Sequence, residues 1–201
     1  MSVHARLQHF IRPILLCLTV SALLLSLSAS IHAAQDVILR LDPGGHTGLV
    51  GKIALTPNGK LVTASVDKTI RVWNPKTGRE ERKILGQLGP GFGEIYTIAL
   101  SPDGKLLASG GFLLPNNEIR LYDFQSGELL QILKSHQNVV QDLAFSPDGR
   151  WVAYISDESG QDEVYVRFYP GPGGQVIIST GGGEEAVWRP DGSELFYRNG
   201  D

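Results

Sequence analysis

A Pro-Asp-Gly turn that returns at a near-constant step predicts an all-β chain. The expected fold is a β-propeller of four-stranded antiparallel blades, incomplete at about three and a half blades. Three observations carry this. Pro57-Asn58-Gly59, Pro102-Asp103-Gly104, Pro147-Asp148-Gly149 and Pro190-Asp191-Gly192 recur at steps of 45, 45 and 43 residues, close to the length of one blade. Apolar runs flank the first three turns, the pattern of strand, turn, strand. The chain also carries 24 Gly in 201 residues, where average usage near 7% gives about 14. None precedes Gly44, so short strands and tight turns begin there, which argues against a helical bundle and against a doubly wound sheet.

The first segment is of another kind. Arg6 and Arg12 precede 18 uncharged, Leu-rich residues from Ile14 to Ile31, and small residues (Ser28, Ala29, Ser30, Ala33, Ala34) follow. This pattern predicts a signal peptide over 1–33, cleaved after Ala33, and an exported chain, periplasmic or extracellular. The alternative is an inner-membrane anchor over 14–31, since about 17–25 residues span a bilayer; membrane contact is expected only in that case. Cys17 is the only Cys, which excludes an intrachain disulfide and a Cys-based zinc cluster. The formal net charge is −3, which argues against nucleic acid as a partner.

Residues 36–201 then read as the propeller. Ile53 to Thr56, Ile98 to Ser101 and Leu143 to Ser146 lead into the first three turns. Leu61 to Ser65, Leu106 to Ser109 and Trp151 to Ser156 lead out. Pro sets φ at the second turn position, Asp or Asn suits the third and Gly the fourth, so the turn Asp residues are assigned to turn chemistry and no metal is expected. Thr69 to Trp73 and Glu118 to Tyr122 supply third strands; Glu80 to Leu85 and Glu128 to Leu133 supply fourth strands. A fourth blade starts near Glu185 and reaches two strands. Asp36 to Leu41 reads as an outer strand of the last blade. An arc of this kind leaves an apolar blade face open at each end, and a truncated reading frame is the expected reason.

The stretch His46 to Asn74 resembles a WD repeat: Gly45-His46 stands early, Ser65-Val66-Asp67 and Ile70-Arg71-Val72-Trp73 late. His136 falls in the same phase two periods on. In the second unit Gly91 takes the His phase, Gly110 and Gly111 replace the Ser, Asn116 stands for Asp, and Tyr122-Asp123 for Trp-Asp. The last stretch, with Ala186-Val187-Trp188 and Glu194 to Tyr197, resembles TolB-like propeller repeats. The WD resemblance implies a hydrogen-bonded chain within the blade, from Trp73 to Ser65, then His46, then Asp67.

His46, Ser65 and Asp67 also have the residue types of a hydrolase triad. No Gly-x-Ser-x-Gly elbow surrounds any Ser, so the structural network is the expectation, with no catalytic residue and no cofactor. The expected function is a secreted or periplasmic interaction scaffold for a protein or peptide, contacted through Phe112, Leu113 and Leu114 in the loop Gly110 to Asn117. The alternative is the propeller portion of a larger peptidase or kinase-linked protein.

Overall fold

The computed structural model describes residues 44–113, 117–134, 139–169, 171 and 174–199, all within one unit of the chain, residues 42–201. Fourteen strands form among them, and no helix. Blade one is β1 (Val50–Leu55), β2 (Leu61–Ser65), β3 (Thr69–Asn74) and β4 (Arg79–Leu85). Blade two is β5 (Glu94–Leu100), β6 (Leu106–Phe112), β7 (Ile119–Asp123) and β8 (Leu129–Leu133). Blade three is β9 (Asp142–Phe145), β10 (Trp151–Ser156), β11 (Glu163–Phe168) and β12 (Gln175–Ile177). β13 (Glu184–Trp188) and β14 (Leu195–Arg198) make a two-stranded fourth sheet. In each complete blade the strands lie side by side in chain order and every pairing is antiparallel.

The recurring turn closes each first hairpin as its chemistry requires. Gly59, Gly104, Gly149 and Gly192 donate their N–H to Thr56, Ser101, Ser146 and Arg189 O, each at 2.9 Å, and all four have φ between 68° and 79°, the left-handed region that Gly enters freely. The Asp side chains serve the same turns. Asp103 Oδ1 accepts the Ser101 hydroxyl at 2.6 Å and the Lys105 N–H at 3.1 Å, and Asp148 repeats the arrangement with Ser146 and Arg150.

The innermost strands pack in series, β1 on β5, β5 on β9 and β9 on β13, and among the described residues the series does not close into a ring. Three apolar layers lie between the sheets. Val62, Ala64, Ile70 and Val72 of blade one meet Leu107, Tyr122 and Phe124 of blade two. Ala108, Ile119 and Leu121 of blade two meet Leu143, Tyr154 and Tyr165 of blade three. Ala153, Ile155, Val164 and Val166 of blade three meet Ala186, Trp188 and Leu195. Strand alternation gives each sheet two such faces. Blade one therefore has one face with no described sheet before it, where Ile53 is 60% and Leu55 69% exposed. Val187 and Phe196, paired across β13 and β14, are exposed on the far side of the last sheet.

Registers also correct the expected phase. Thr56 N–H bonds Lys60 O in blade one, whereas Ser101 N–H bonds Leu106 O in blade two; the first hairpin is one residue shorter. Thr63 opposes Arg71 and Ser109 opposes Arg120, so Ser109 is the counterpart of Thr63, and Gly111, not Gly110, that of Ser65. A Cβ on Gly111 would stand 2.1 Å from Glu94 O, on the paired strand β5; close backbone approach excludes a side chain there. The segment 1–33, its anchor alternative 14–31, Asp36 to Leu41, Leu114 and His136 lie outside the described residues.

Candidate functional site

The open face of blade one carries a polar network. His46 lies in the loop entering β1, Thr63 on β2, Asp67 in the turn between β2 and β3, and Thr69 and Trp73 on β3. Trp73 Nε1–H donates to Thr63 Oγ1 at 2.8 Å, and Thr63 Oγ1 lies 2.7 Å from His46 Nε2. His46 Nδ1 lies 3.0 Å from Asp67 Oδ2. Each donor finds an acceptor when the Thr63 hydroxyl donates to Nε2 and Nδ1–H donates to the carboxylate.

This differs from the expected chain at one link: the hydroxyl is that of Thr63, not Ser65. Both residues sit on the same face of β2, two apart. Trp73 pairs with Leu61, so Thr63 is the diagonal neighbour an indole reaches, while Ser65 lies four residues along, about 13 Å. Ser65 is buried and does other work: its Oγ accepts Asp67 N–H at 3.1 Å, which shapes the turn. The structure thus brings His46, Asp67 and Trp73 together through Thr63 and places Ser65 beneath the Asp67 backbone.

Asp67 is the hub. Burial would raise its carboxyl, but the Thr69 hydroxyl (2.5 Å), the Thr47 N–H (3.0 Å) and His46 outweigh burial and hold it below the usual value of 3.8. The Thr69 N–H adds a bond at 3.0 Å. Arg71, also buried, runs from Thr69 Oγ1 to an ion pair with Glu80. Spacing alone does not single out Thr63, Thr69 or Arg71; their shared face, every second residue, is the signal that finds them.

Thr63, His46 and Asp67 have the connectivity of a hydrolase triad. The Thr63 hydroxyl is buried, however, donates to His46 and already accepts the Trp73 indole, so it offers a substrate nothing. The loop of blade two is withdrawn in part as well. Leu113 is 1% exposed and Phe112 half-buried at the end of β6, which leaves Leu113 as packing rather than contact surface.

Comparison with known proteins places this architecture. The family described as WD domain, G-beta repeat, matches residues 38–74, 82–123 and 127–160. The chain belongs to the WD-repeat family. Its similar proteins include the small ribosomal subunit protein RACK1 of Drosophila melanogaster, 32% identical over 166 residues, 78% of this chain and 50% of that protein. The small ribosomal subunit protein RACK1y of Oryza sativa subsp. japonica is 31% identical over 118 residues, 57% of this chain and 33% of the relative. The Caenorhabditis elegans RACK1 is 31% identical over 110 residues, 53% and 31%. This WD-repeat chain therefore spans half or less of the length of these relatives.

The names of these relatives correct the expected location. Proteins of the small ribosomal subunit belong to an assembly inside the cell, and that finding overturns the exported reading, which rested on Arg6 and Arg12, the apolar run from Ile14 to Ile31 and the small residues after it. The matched WD repeats end at residue 160, short of Ala186-Val187-Trp188 and Glu194 to Tyr197, and the resemblance of that last stretch to TolB-like repeats is not shown by these matches.

Proposed function

We propose that this WD-repeat chain is a docking scaffold that holds protein partners and performs no chemistry of its own. One observation carries the reading. The single hydroxyl–imidazole–carboxylate chain in the described structure is consumed in tying the His46 loop, the Asp67 turn and Trp73 to one sheet. Large apolar side chains are also presented outward, among them Ile53, Leu55, Val187 and Phe196. Fixed polar networks inside and apolar side chains outside suit a surface that binds rather than reacts.

The relatives are named for the small ribosomal subunit, so a ribonucleoprotein particle is the first partner to test. With a net charge of −3, contact through its proteins is favoured over contact with its RNA. Co-sedimentation of the purified chain with small ribosomal subunits tests this partner, and a stoichiometric shift with crosslinks to proteins is the expected result. A chain that never moves with the particle would remove this partner. Labelling of Thr63 or Ser65 by a fluorophosphonate would overturn the non-catalytic reading.

A further inference from the structure

Charge is divided unequally among the blades. From residue 50 to 85, blade one carries eight Lys or Arg against three Asp or Glu. Blade two, from 94 to 133, carries two against five, and blade three, from 142 to 177, two against six. Four of the blade-one cations have fixed work. Lys52 pairs with Asp142 at 2.7 Å, Lys60 with Glu81, and the buried Arg71 with Glu80, while Lys68 is held by Gly89 O and the Phe92 ring. The other four, Lys76, Arg79, Arg82 and Lys83, lie together on the turn after β3 and along β4. No described carboxylate is within ion-pair reach of Lys76, Arg79 or Arg82.

The repeat does not require these cations. Arg82 opposes Val72, and the matching places are Gln131 opposite Leu121 and Val176 opposite Val166. Lys83 is matched by Ile132 and Ile177. Arg82 borders a cavity of about 310 Å³ between blades one and two, with the buried Val72 and Phe124 at its base and Asn58, Lys60 and Glu81 around it. Both of these blades have all four strands. The Arg82 guanidinium lies 4.7 Å over the Phe124 ring and donates to Gln125 O. Burial disfavours its charge and holds it below its ordinary pKa, and Asp123 acts the other way. Asn58 stands where the three other turns carry Asp. Its Oδ1 accepts the Thr56 hydroxyl at 2.5 Å, so its Nδ2 hydrogens are available to an acceptor. A half-buried cation, amide donors and an apolar base suit a carboxylate carried on a chain. Glu81, Asp103 and Asp123 border the same corner and oppose a continuous row of phosphates, which favours an acidic protein segment over nucleic acid.

We propose that this corner of blade one docks an acidic segment of a partner protein, with one Asp or Glu carboxylate between Arg82 and the Asn58 amide and further acids against Lys76 and Arg79. The inference deepens the docking reading and rests on it.

A fluorescein-labelled peptide, Gly-Glu-Leu-Glu-Glu-Leu-Glu-Gly, is the probe. It is titrated into the purified 201-residue chain at about 50 mM salt, where screening is weak. Saturable binding is expected, and the same peptide with Gln for every Glu binds about tenfold more weakly. Arg82→Gln weakens binding about fivefold, the upper range for one solvent-facing ion pair. Asn58→Asp weakens it as well and keeps the fold by circular dichroism, since the three other turns carry Asp. Arg150→Gln, which removes an exposed cation of blade three, leaves binding unchanged. Absence of binding, equal binding of the Gln peptide, or equal weakening by Arg150→Gln overturns the proposal. So does a ten-nucleotide oligouridylate that binds more tightly than the peptide and is lost with Arg82→Gln, since the partner is then nucleic acid. A chain with Arg79→Gln and Arg82→Gln that still moves with small ribosomal subunits, where the unaltered chain binds no peptide, overturns this corner and leaves the docking reading standing.

Discussion

Blades one and three place different chemistry on the same backbone positions. On the face turned toward the preceding blade, blade one sets Thr63 opposite Arg71, with Trp73 next to them. Blade three sets Tyr154 opposite Tyr165, the rings stacked 5.4 Å apart at 12°. The blade-three face is pressed against Ala108, Ile119 and Leu121 of blade two and is filled by aromatic surface. The blade-one face has no described sheet before it, and there side chains must cover themselves; His46, Trp73 and Asp67 do so with directed hydrogen bonds. Burial decides the chemistry, and the register stays the same. Blade three keeps its polar lock elsewhere. Glu163 accepts the Ser179 hydroxyl and the N–H groups of Gly181 (2.9 Å) and Gly182 (3.1 Å), tying the loop before β13 as Asp67 ties the loop before β1.

The largest effect that separates the blades is expected at Tyr154, which is fully buried and donates to Gln175 at 3.0 Å. Tyr154→Ala empties the stack and costs about 3–5 kcal/mol, the range for large aromatic truncations, read from urea unfolding. A loss under about 1 kcal/mol would show that blades two and three are not joined through this ring.

Glu163→Ala removes a charged acceptor from a buried site and leaves Ser179 and two backbone donors short. It costs about 2–3 kcal/mol, with faster hydrogen exchange at Gly181 and Gly182 as the local readout. The two locks also share a pH signature. Burial raises the Glu163 carboxyl, but Ser179, Gly182, Gln161 and Gly181 outweigh it and hold it below 4.5; Asp67 is held below 3.8. A carboxyl depressed in the folded state stabilises fully above its unfolded value and loses that contribution as pH falls through its folded value. Unfolding midpoints therefore fall on acidification below about pH 4.5, and Asp67→Asn and Glu163→Gln each flatten the fall. An unchanged slope in both variants contradicts the lock assignment.

His46→Ala affects blade one alone. It strips partners from Thr63 and Asp67 and costs about 1–2 kcal/mol, with a change in Trp73 fluorescence that no blade-three substitution produces. The smallest effect is a gain. Lys68 holds φ at 71° in the turn of blade one, a strained conformation for a long side chain. Its counterpart Asn117, at φ 50°, is of a type that tolerates it. Lys68→Asn raises stability by at most about 1 kcal/mol, offset by lost contact of Lys68 with Gly89 O and the Phe92 ring.

The turns and strands were legible because Pro, Asp and Gly act locally: Gly104 and Gly149 adopt the left-handed backbone that their turns demand. Register was less legible. Nothing in Thr56 to Lys60 announces a hairpin one residue shorter than Ser101 to Leu106, and a count of 45 from Ser65 lands on Gly110 where the sheet places Gly111. The network was legible in its members His46, Asp67 and Trp73 but not in its hydroxyl. Thr63 and Ser65 share a face, and only the pairing of Trp73 with Leu61 shows which one the indole meets. The cavity of about 450 Å³ between blade three and the β13–β14 hairpin was not legible, because Val166, Val176 and Trp188 on its walls read as ordinary strand residues until the sheets are set beside one another.

The central claim is that blade one is held by a bond from Trp73 through Thr63 to His46. A double-mutant cycle of Thr63→Val with Trp73→Phe, followed by chemical unfolding, tests it most directly. The account predicts a coupling of about 1 kcal/mol for that pair and none for Ser65→Ala with Trp73→Phe. Coupling at Ser65 and none at Thr63 would contradict it.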